Sequence, residues 1–323
     1  MTAIKTPYNP DGKIDLDAYD SHLEDQLANG VEGFIVGGTT GEGHLFHWDE
    51  HIMLIAHTKH IVGDRALVVG NTGSNSTGEL RHATQQGFTV GMDAALSINP
   101  YYGKTSEAVS PASPLQPRIL RWLPPSCEPQ RLCAQGVIAH LTSALDFGPT
   151  IIYNVPGRTG QDISVETMLQ IADHPNFAGV KECMGRERIQ AYSDRNIITW
   201  SGNDDECHET RHEAGCNGVI SVTANLIPGL FSQMMKEPSY DVASDVAGLV
   251  DWLFVEPNPI GVNTLMMQLG LCQPVFRLPY VQYDEEMRAK GKALIEAIGL
   301  ENVPGNKGCE LMADADFLHC ADF

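Results

Sequence analysis

NFAGVKECMG, residues 176–185, is a short apolar run that ends in a single lysine, Lys181, followed by an acid and a glycine-marked turn. Near-continuous apolar runs of this length are what strands buried on both faces require. PTIIYNVPGRTG (149–160) repeats the plan and closes on Tyr153. The same kind of run recurs at TAIKTP (2–7), GFIVGG (33–38), ALVVGNTG (66–73), AALSINPYY (94–102), IITWSG (197–202) and GVISVTAN (218–225). Amphipathic patterns lie between them. In the first, Leu16, Tyr19, Leu23 and Leu27 recur at helical spacing, and Gly30 stands just past the end. Eight strand–helix units in about 235 residues predict an α/β fold, a (β/α)8 TIM barrel. A doubly wound sheet is the alternative, but no GxGxxG follows the first strand.

The barrel is expected over residues 1–238 and a C-terminal helical domain and tail over 239–323. Helices are predicted at about 240–255, 259–270 and 283–298, broken by EPNP and RLPY. The last residues, ENVPGNKGCELMADADF, read as loosely ordered. One stretch interrupts the barrel rhythm. Residues 107–133 hold six of the 19 prolines together with Arg118, Arg121 and Arg131 in an acidic chain, and no helical or strand period runs through them. Structureless loops of that length are uncommon inside a compact domain. The composition reads as translated non-coding sequence, with a genuine lineage-specific loop as the alternative.

A formal net charge of −20 over 323 residues argues against nucleic-acid and anionic-lipid partners. No apolar run is long enough to span a bilayer. The N-terminus shows neither a secretory apolar region nor an Arg/Ser-rich transit peptide. The eight cysteines include no CxxC pair and are expected as reduced thiols.

In a barrel the chemistry sits at the strand C-termini. A lysine buried there has its ammonium disfavoured, and a neutral amine is what attacks a ketone to form an imine; the structural alternative is an ion pair with Glu182 or Asp205. Tyr153 is placed to shuttle protons, or merely to cap the core. GGTTGE (37–42) offers two hydroxyls and backbone amides suited to a carboxylate, or else a threonine helix cap. Arg158 has the fork geometry for a second carboxylate. His47 and His51 stand at metal-ligand spacing without a third ligand, and Asp204-Asp205-Glu206 is assigned to the first turn of the seventh helix. Gly70-Asn71-Thr72-Gly73 lacks the lysine of a phosphate loop.

Together, GGTTGE, INPYY, IIYNVPGRTG, AGVKE and GVISVTAN resemble the dihydrodipicolinate synthase family of pyruvate-dependent class I aldolases, over residues 1–106 and 134 to about 300. TAIKTPY, GEGHLFHWDEHIML, WSGNDDECH and DWLFVEPNPI resemble its plant branch. The resemblance implies a lyase that condenses pyruvate with L-aspartate 4-semialdehyde through a Schiff base, without metal or organic cofactor. Lys181 would form the imine. Tyr153, Thr39 and Tyr102 would relay protons, Tyr102 coming from a neighbouring subunit. Thr40 and Ile220 would hold pyruvate, and Arg158 the semialdehyde carboxylate. Trp48, His51, Asn75, Glu79 and Tyr101 match an inhibitory L-lysine site. A homodimer or homotetramer and a plastid location are also implied, with the cytoplasm as the alternative compartment. The rival readings are N-acetylneuraminate lyase, a keto-deoxy-sugar-acid aldolase, or an inactive barrel acting as a binding or regulatory subunit. The interruption at 107–133 falls just after Tyr102, and Met1 begins inside the family's first strand.

Overall fold

The computed structural model describes residues 1–104 and 129–321, and for 129–135 the backbone alone. Eight parallel strands follow one another around a single sheet: β1 Thr2–Ala3, β2 Gly33–Val36, β3 Leu67–Asn71, β4 Ala94–Ile98, β5 Thr150–Asn154, β6 Phe177–Glu182, β7 Thr199–Ser201 and β8 Gly218–Val219. A bridge between Thr2 and Ser221, with Ala3 N donating to Ser221 O at 2.9 Å, closes the sheet into a barrel. The strands are shorter than the apolar runs because Pro, Gly and Asn at their ends turn the backbone out of the ladder.

Side-chain alternation divides each strand between two cores. Ala3, Ile35, Val69, Leu96, Ile151, Tyr153 and Ile220 point inward and fill the barrel. Their neighbours Phe34, Val36, Val68 and Ala95, and on the far side Ile152 and Val180, pack beneath the outer helices. The first of these helices, α1 (Leu16–Ala28), begins where Asp15 accepts from the Ala18 amide, and Gly30 follows it at φ +81°. This N-cap and the positive-φ glycine bound the element at both ends.

After the barrel, helices Ala243–Leu253, Ile260–Gln268 and Glu285–Ile298 stand where the periodicity predicts them. Their core is continuous with the barrel's last unit, joining Val219, Val222 and Phe231 to Trp252, Leu265 and Ile295.

The tail corrects the expectation of loose order. β10 (Leu318–Cys320) pairs in parallel with β9 (Val275–Arg277). Phe317 is buried against Phe276, and Arg288 pairs with Asp314 at 2.7 Å. A three-residue parallel pairing across more than forty positions leaves no local period to detect. Most of the 107–133 stretch lies outside the described residues; a helix runs from Pro129 to Leu145. The six cysteines whose side chains are described are free thiols. No helix among the described residues is long and apolar enough to cross a membrane.

Candidate active site

The barrel register brings Lys181 and Tyr153 together. In the β5–β6 ladder Tyr153 stands opposite Lys181, and Asn154 opposite Glu182. Alternation sends the first pair into the barrel and the second outward under the helices. The Lys181 ammonium lies 4.3 Å from the centre of the Tyr153 ring, within cation–π range. Both residues are buried, at 7% and 9% exposure.

Burial dominates the electrostatics. It lowers the Lys181 pKa from its ordinary value; Cys183 and Asp204 oppose this, and Arg158 adds to it. The Tyr153 phenol is held well above its ordinary value, again chiefly by burial, with a hydrogen bond to Arg158 pulling the other way. Lys181 has no ion-pair partner among the described residues. The structural alternatives therefore fail. Glu182 turns away, accepting from Asn154 Nδ2 and from the Cys183 and Met184 amides, each at 2.9 Å, and its pKa is pushed up to about 7 by burial. Asp205 is exposed. An amine with a lowered pKa and no ion-pair partner among the described residues is competent to attack a carbonyl carbon.

The GGTTGE loop follows the end of β2, four strands from β6 around the barrel. No threonine there caps a helix. A one-turn 3-10 helix, Gly43–Leu45, follows Glu42, which takes the left-handed conformation at φ 58°. The Glu42 amide donates to Thr39 O and the Gly43 amide to Gly38 O. The amides of Thr40 and Gly41 donate to no group among the described residues. Thr40 is buried and accepts from Asn258 Nδ2 at 3.1 Å, while Thr39 is half-buried. Ile220, just after β8, is buried in the barrel core at 1% exposure. Arg158 is exposed on the one-turn helix Pro156–Thr159, which directly follows β5.

Tyr102 is not brought to this site within the chain; it is 90% exposed. Asn75 Oδ1 accepts from the amides of both Tyr101 and Tyr102, at 2.8 and 3.0 Å. Glu79 accepts from Ser74, and its charge together with burial raises the Tyr101 pKa. Trp48 stacks on His51 with ring centres 5.2 Å apart. His51 is buried and His47 exposed, so the two do not converge. Among the described residues no three His, Cys, Asp or Glu side chains gather as a metal-ligand set.

Asp204 departs from its assignment. It does not serve the first turn of helix Cys207–Glu213. Its buried Oδ2 accepts from the Val222 amide, the Thr223 amide and the Thr223 hydroxyl at 3.0, 2.7 and 2.7 Å, tying β7 to the segment after β8. Sequence reasoning also missed Cys183, whose sulfur lies 4.0 Å from the Tyr153 hydroxyl, and Asn258. Position after a strand end was the only available signal for Cys183, and the EPNP break between two helices the only one for Asn258. A cavity of about 440 Å3, lined in part by Leu169, Phe177, Arg195 and Ile198, opens at the other end of β6. Barrels of this kind carry their chemistry at strand C-termini, so the Lys181 end takes precedence.

Fold and site together define a (β/α)8-barrel enzyme with a buried lysine at a strand end, without an ion pair among the described residues. The family model for the dihydrodipicolinate synthetase family matches residues 1–109 and 131–298. The chain belongs to that family. It is 51% identical over 319 residues to the chloroplastic 4-hydroxy-tetrahydrodipicolinate synthase of Zea mays, covering 98% of this chain and 77% of that protein. The corresponding chloroplastic protein 1 of Arabidopsis thaliana is 50% identical over 319 residues, covering 98% and 80%. Among solved structures, the lysine-bound enzyme of Cyanidioschyzon merolae superposes with a TM-score of 0.80 at 27% identity, covering 93% of this chain and 97% of that one. The pyruvate complex of the Acinetobacter baumannii enzyme gives 0.80 at 28% identity, covering 93% and 98%.

Proposed function

We propose that this protein condenses pyruvate with L-aspartate 4-semialdehyde to form 4-hydroxy-tetrahydrodipicolinate, a step of lysine biosynthesis. The observation that carries this reading is the buried Lys181, set over the Tyr153 ring and without an ion pair among the described residues. The neutral Lys181 amine attacks C2 of pyruvate, and loss of water leaves a protonated imine. The imine draws electrons from the adjacent methyl, which loses a proton to become an enamine carbon. That carbon attacks the aldehyde carbon of the second substrate. The amine of the adduct then adds to the imine carbon, closing the ring and releasing Lys181 as the free amine.

Tyr153 moves the protons of these steps, with Thr39 and a neighbouring subunit's Tyr102 as relay partners. The free amides of Thr40 and Gly41, with the Thr40 hydroxyl, supply donors for the pyruvate carboxylate, and Ile220 packs against its methyl. Arg158 meets the carboxylate of the semialdehyde. Trp48, His51, Asn75, Glu79 and Tyr101 form the L-lysine site. Because Asn75 holds the amides of Tyr101 and Tyr102 together, inhibitor bound at one tyrosine bears on the other. The working form is a homo-oligomer of at least two chains, and likeness to chloroplastic plant relatives supports a plastid location.

Borohydride reduction in the presence of pyruvate, followed by peptide mapping, tests the mechanism. The expected result is an adduct on Lys181; an unlabelled Lys181, or a Lys181→Ala variant with full turnover, refutes it. Assay with aspartate semialdehyde against sialic acid separates this substrate pair from a sugar-acid lyase. A rate unchanged by saturating lysine would remove the inhibitor site.

A further inference from the structure

Beneath the GGTTGE loop lies a charge pair that the reaction chemistry does not use. Lys5 and Glu42 are 1% and 0% exposed, and Lys5 Nζ donates to Glu42 Oε1 at 2.5 Å. Asn263 Nδ2 donates to the same oxygen at 2.6 Å. Tyr8 completes the enclosure, with its ring 4.7 Å from Lys5 Nζ and 4.4 Å from the Arg277 guanidinium. Buried ion pairs contribute little net stability over an apolar replacement, but they specify geometry, and loss of one partner strands the other charge.

What this pair specifies is the threonine loop. Glu42 is one of only two non-glycine residues with positive φ among the described residues, and its own amide closes the turn onto Thr39 O. The left-handed conformation is costly for a side-chain-bearing residue, so something outside the turn must hold it. Lys5 reaches in from the segment continuing β1, where Thr6 Oγ1 also donates to Gly41 O at 2.8 Å. A methyl group on Gly41 would stand 2.7 Å from Ile4 O, so loop and segment are in direct contact. From the other side Asn263 holds Glu42, while Asn258, just before the same helix, holds the Thr40 hydroxyl. The segment is itself anchored, since Lys5 N donates to Asn225 Oδ1 at 3.0 Å. Glu42 is thus the point where the N-terminal segment, the threonine loop and the C-terminal helical region meet.

We propose that Lys5 and Glu42 are positioning residues for imine formation, their buried ion pair locking the Thr39–Thr40 turn in the orientation that presents its hydroxyls and free amides to the keto-acid carboxylate. The inference rests on the imine reading above. Misplacement of a substrate-orienting group by about 1 Å costs about 100-fold in rate, which sets the scale of the effect. The shared oxygen supplies the control. An ammonium introduced at position 263 would approach Glu42 Oε1 from the side that Asn263 now occupies.

The test compares wild type, Lys5→Met and Lys5→Met/Asn263→Lys in the full-length protein. It measures the rate of borohydride-trapped adduct formation on Lys181 across pyruvate concentrations, with thermal melting alongside. Lys5→Met is expected to lower the trapping rate between about 10- and 100-fold at saturating pyruvate. The double variant is expected to recover to within about threefold of wild type, a rescue that mere restoration of melting temperature does not produce. Folded Lys5→Met that traps pyruvate at the wild-type rate overturns the proposal. So does a folded double variant that stays slow. Failure of both variants to fold overturns it as well, because the pair would then serve folding alone. A wild type without adduct on Lys181 refutes the imine reading itself, and this inference with it.

Discussion

Replacing His51 with asparagine should remove about 2 kcal/mol of the protein's acid sensitivity. His51 is 2% exposed, its ring bonds to the Val36 backbone, and its Nε2 has no partner among the described residues. A methyl group on Gly37 would stand 2.0 Å from that nitrogen, which shows how tightly the ring is enclosed. A proton added to Nε2 would be a buried, unsatisfied charge, so burial lowers the His51 pKa from its ordinary 6.5 to about 4. The sign follows from linkage. Between pH 6.5 and 4 the unfolded chain binds the proton and the folded one does not, so stability is intact above 6.5 and is lost as pH falls. At pH 5 the loss covers 1.5 pH units, or about 2 kcal/mol at 1.36 kcal/mol per unit. Asparagine does not titrate, and its amide can replace the ring donor to Val36. Urea unfolding at pH 8 and pH 5, at one fixed protein concentration, measures the pH-dependent part. Subtracting the variant's pH difference from that of wild type cancels its constant penalty and every unrelated carboxylate. His22, also lowered to about 4 by burial, is a second instance in the same protein. Equal pH differences in wild type and variant, within about 0.5 kcal/mol, would refute the reasoning.

Asp204→Asn should move the acid limb of pyruvate trapping to lower pH, because the Asp204 charge holds the Lys181 pKa up against burial; a limb that stays in place or moves up contradicts the assignment. In Gly202→Ala the new methyl group would lie 2.3 Å from Cys183 Sγ and 3.1 Å from Lys181 Cε, so activity should fall, and adding Cys183→Ala should recover part of it in steady-state assays. Gly37→Ala combines the clash on His51 with φ +64°; left-handed strain of about 1–2 kcal/mol and overpacking of about 1–3 kcal/mol should lower the melting temperature measurably. The Cys183 thiol is raised above its ordinary pKa by burial, so timed alkylation at pH 7.5 with peptide mapping should find it slower than a small free thiol.

The barrel was legible because buried parallel strands need uninterrupted apolar runs and their helices need a 3.6-residue period, both local properties of the chain. The strand-end positions of Lys181 and Tyr153 were legible for the same reason, since a strand end is visible in one dimension. The three-dimensional assembly decided the rest. Register alone set Tyr153 opposite Lys181 and turned Glu182 outward, removing the ion pair that adjacency in sequence invites. Asp204 looks like helix-entry charge until closure of the barrel brings Val222 and Thr223 to it. Lys5, Glu42 and Asn263 lie more than 200 positions apart end to end, and nothing in TAIKTP or GGTTGE announces that they share one oxygen. The tail strand follows the same logic, for a short parallel pairing carries no period of its own. Local periodicity determined which elements form and which residues end them. Which charges face one another, and which are left without a partner, depended on contacts that exist only once the barrel has closed.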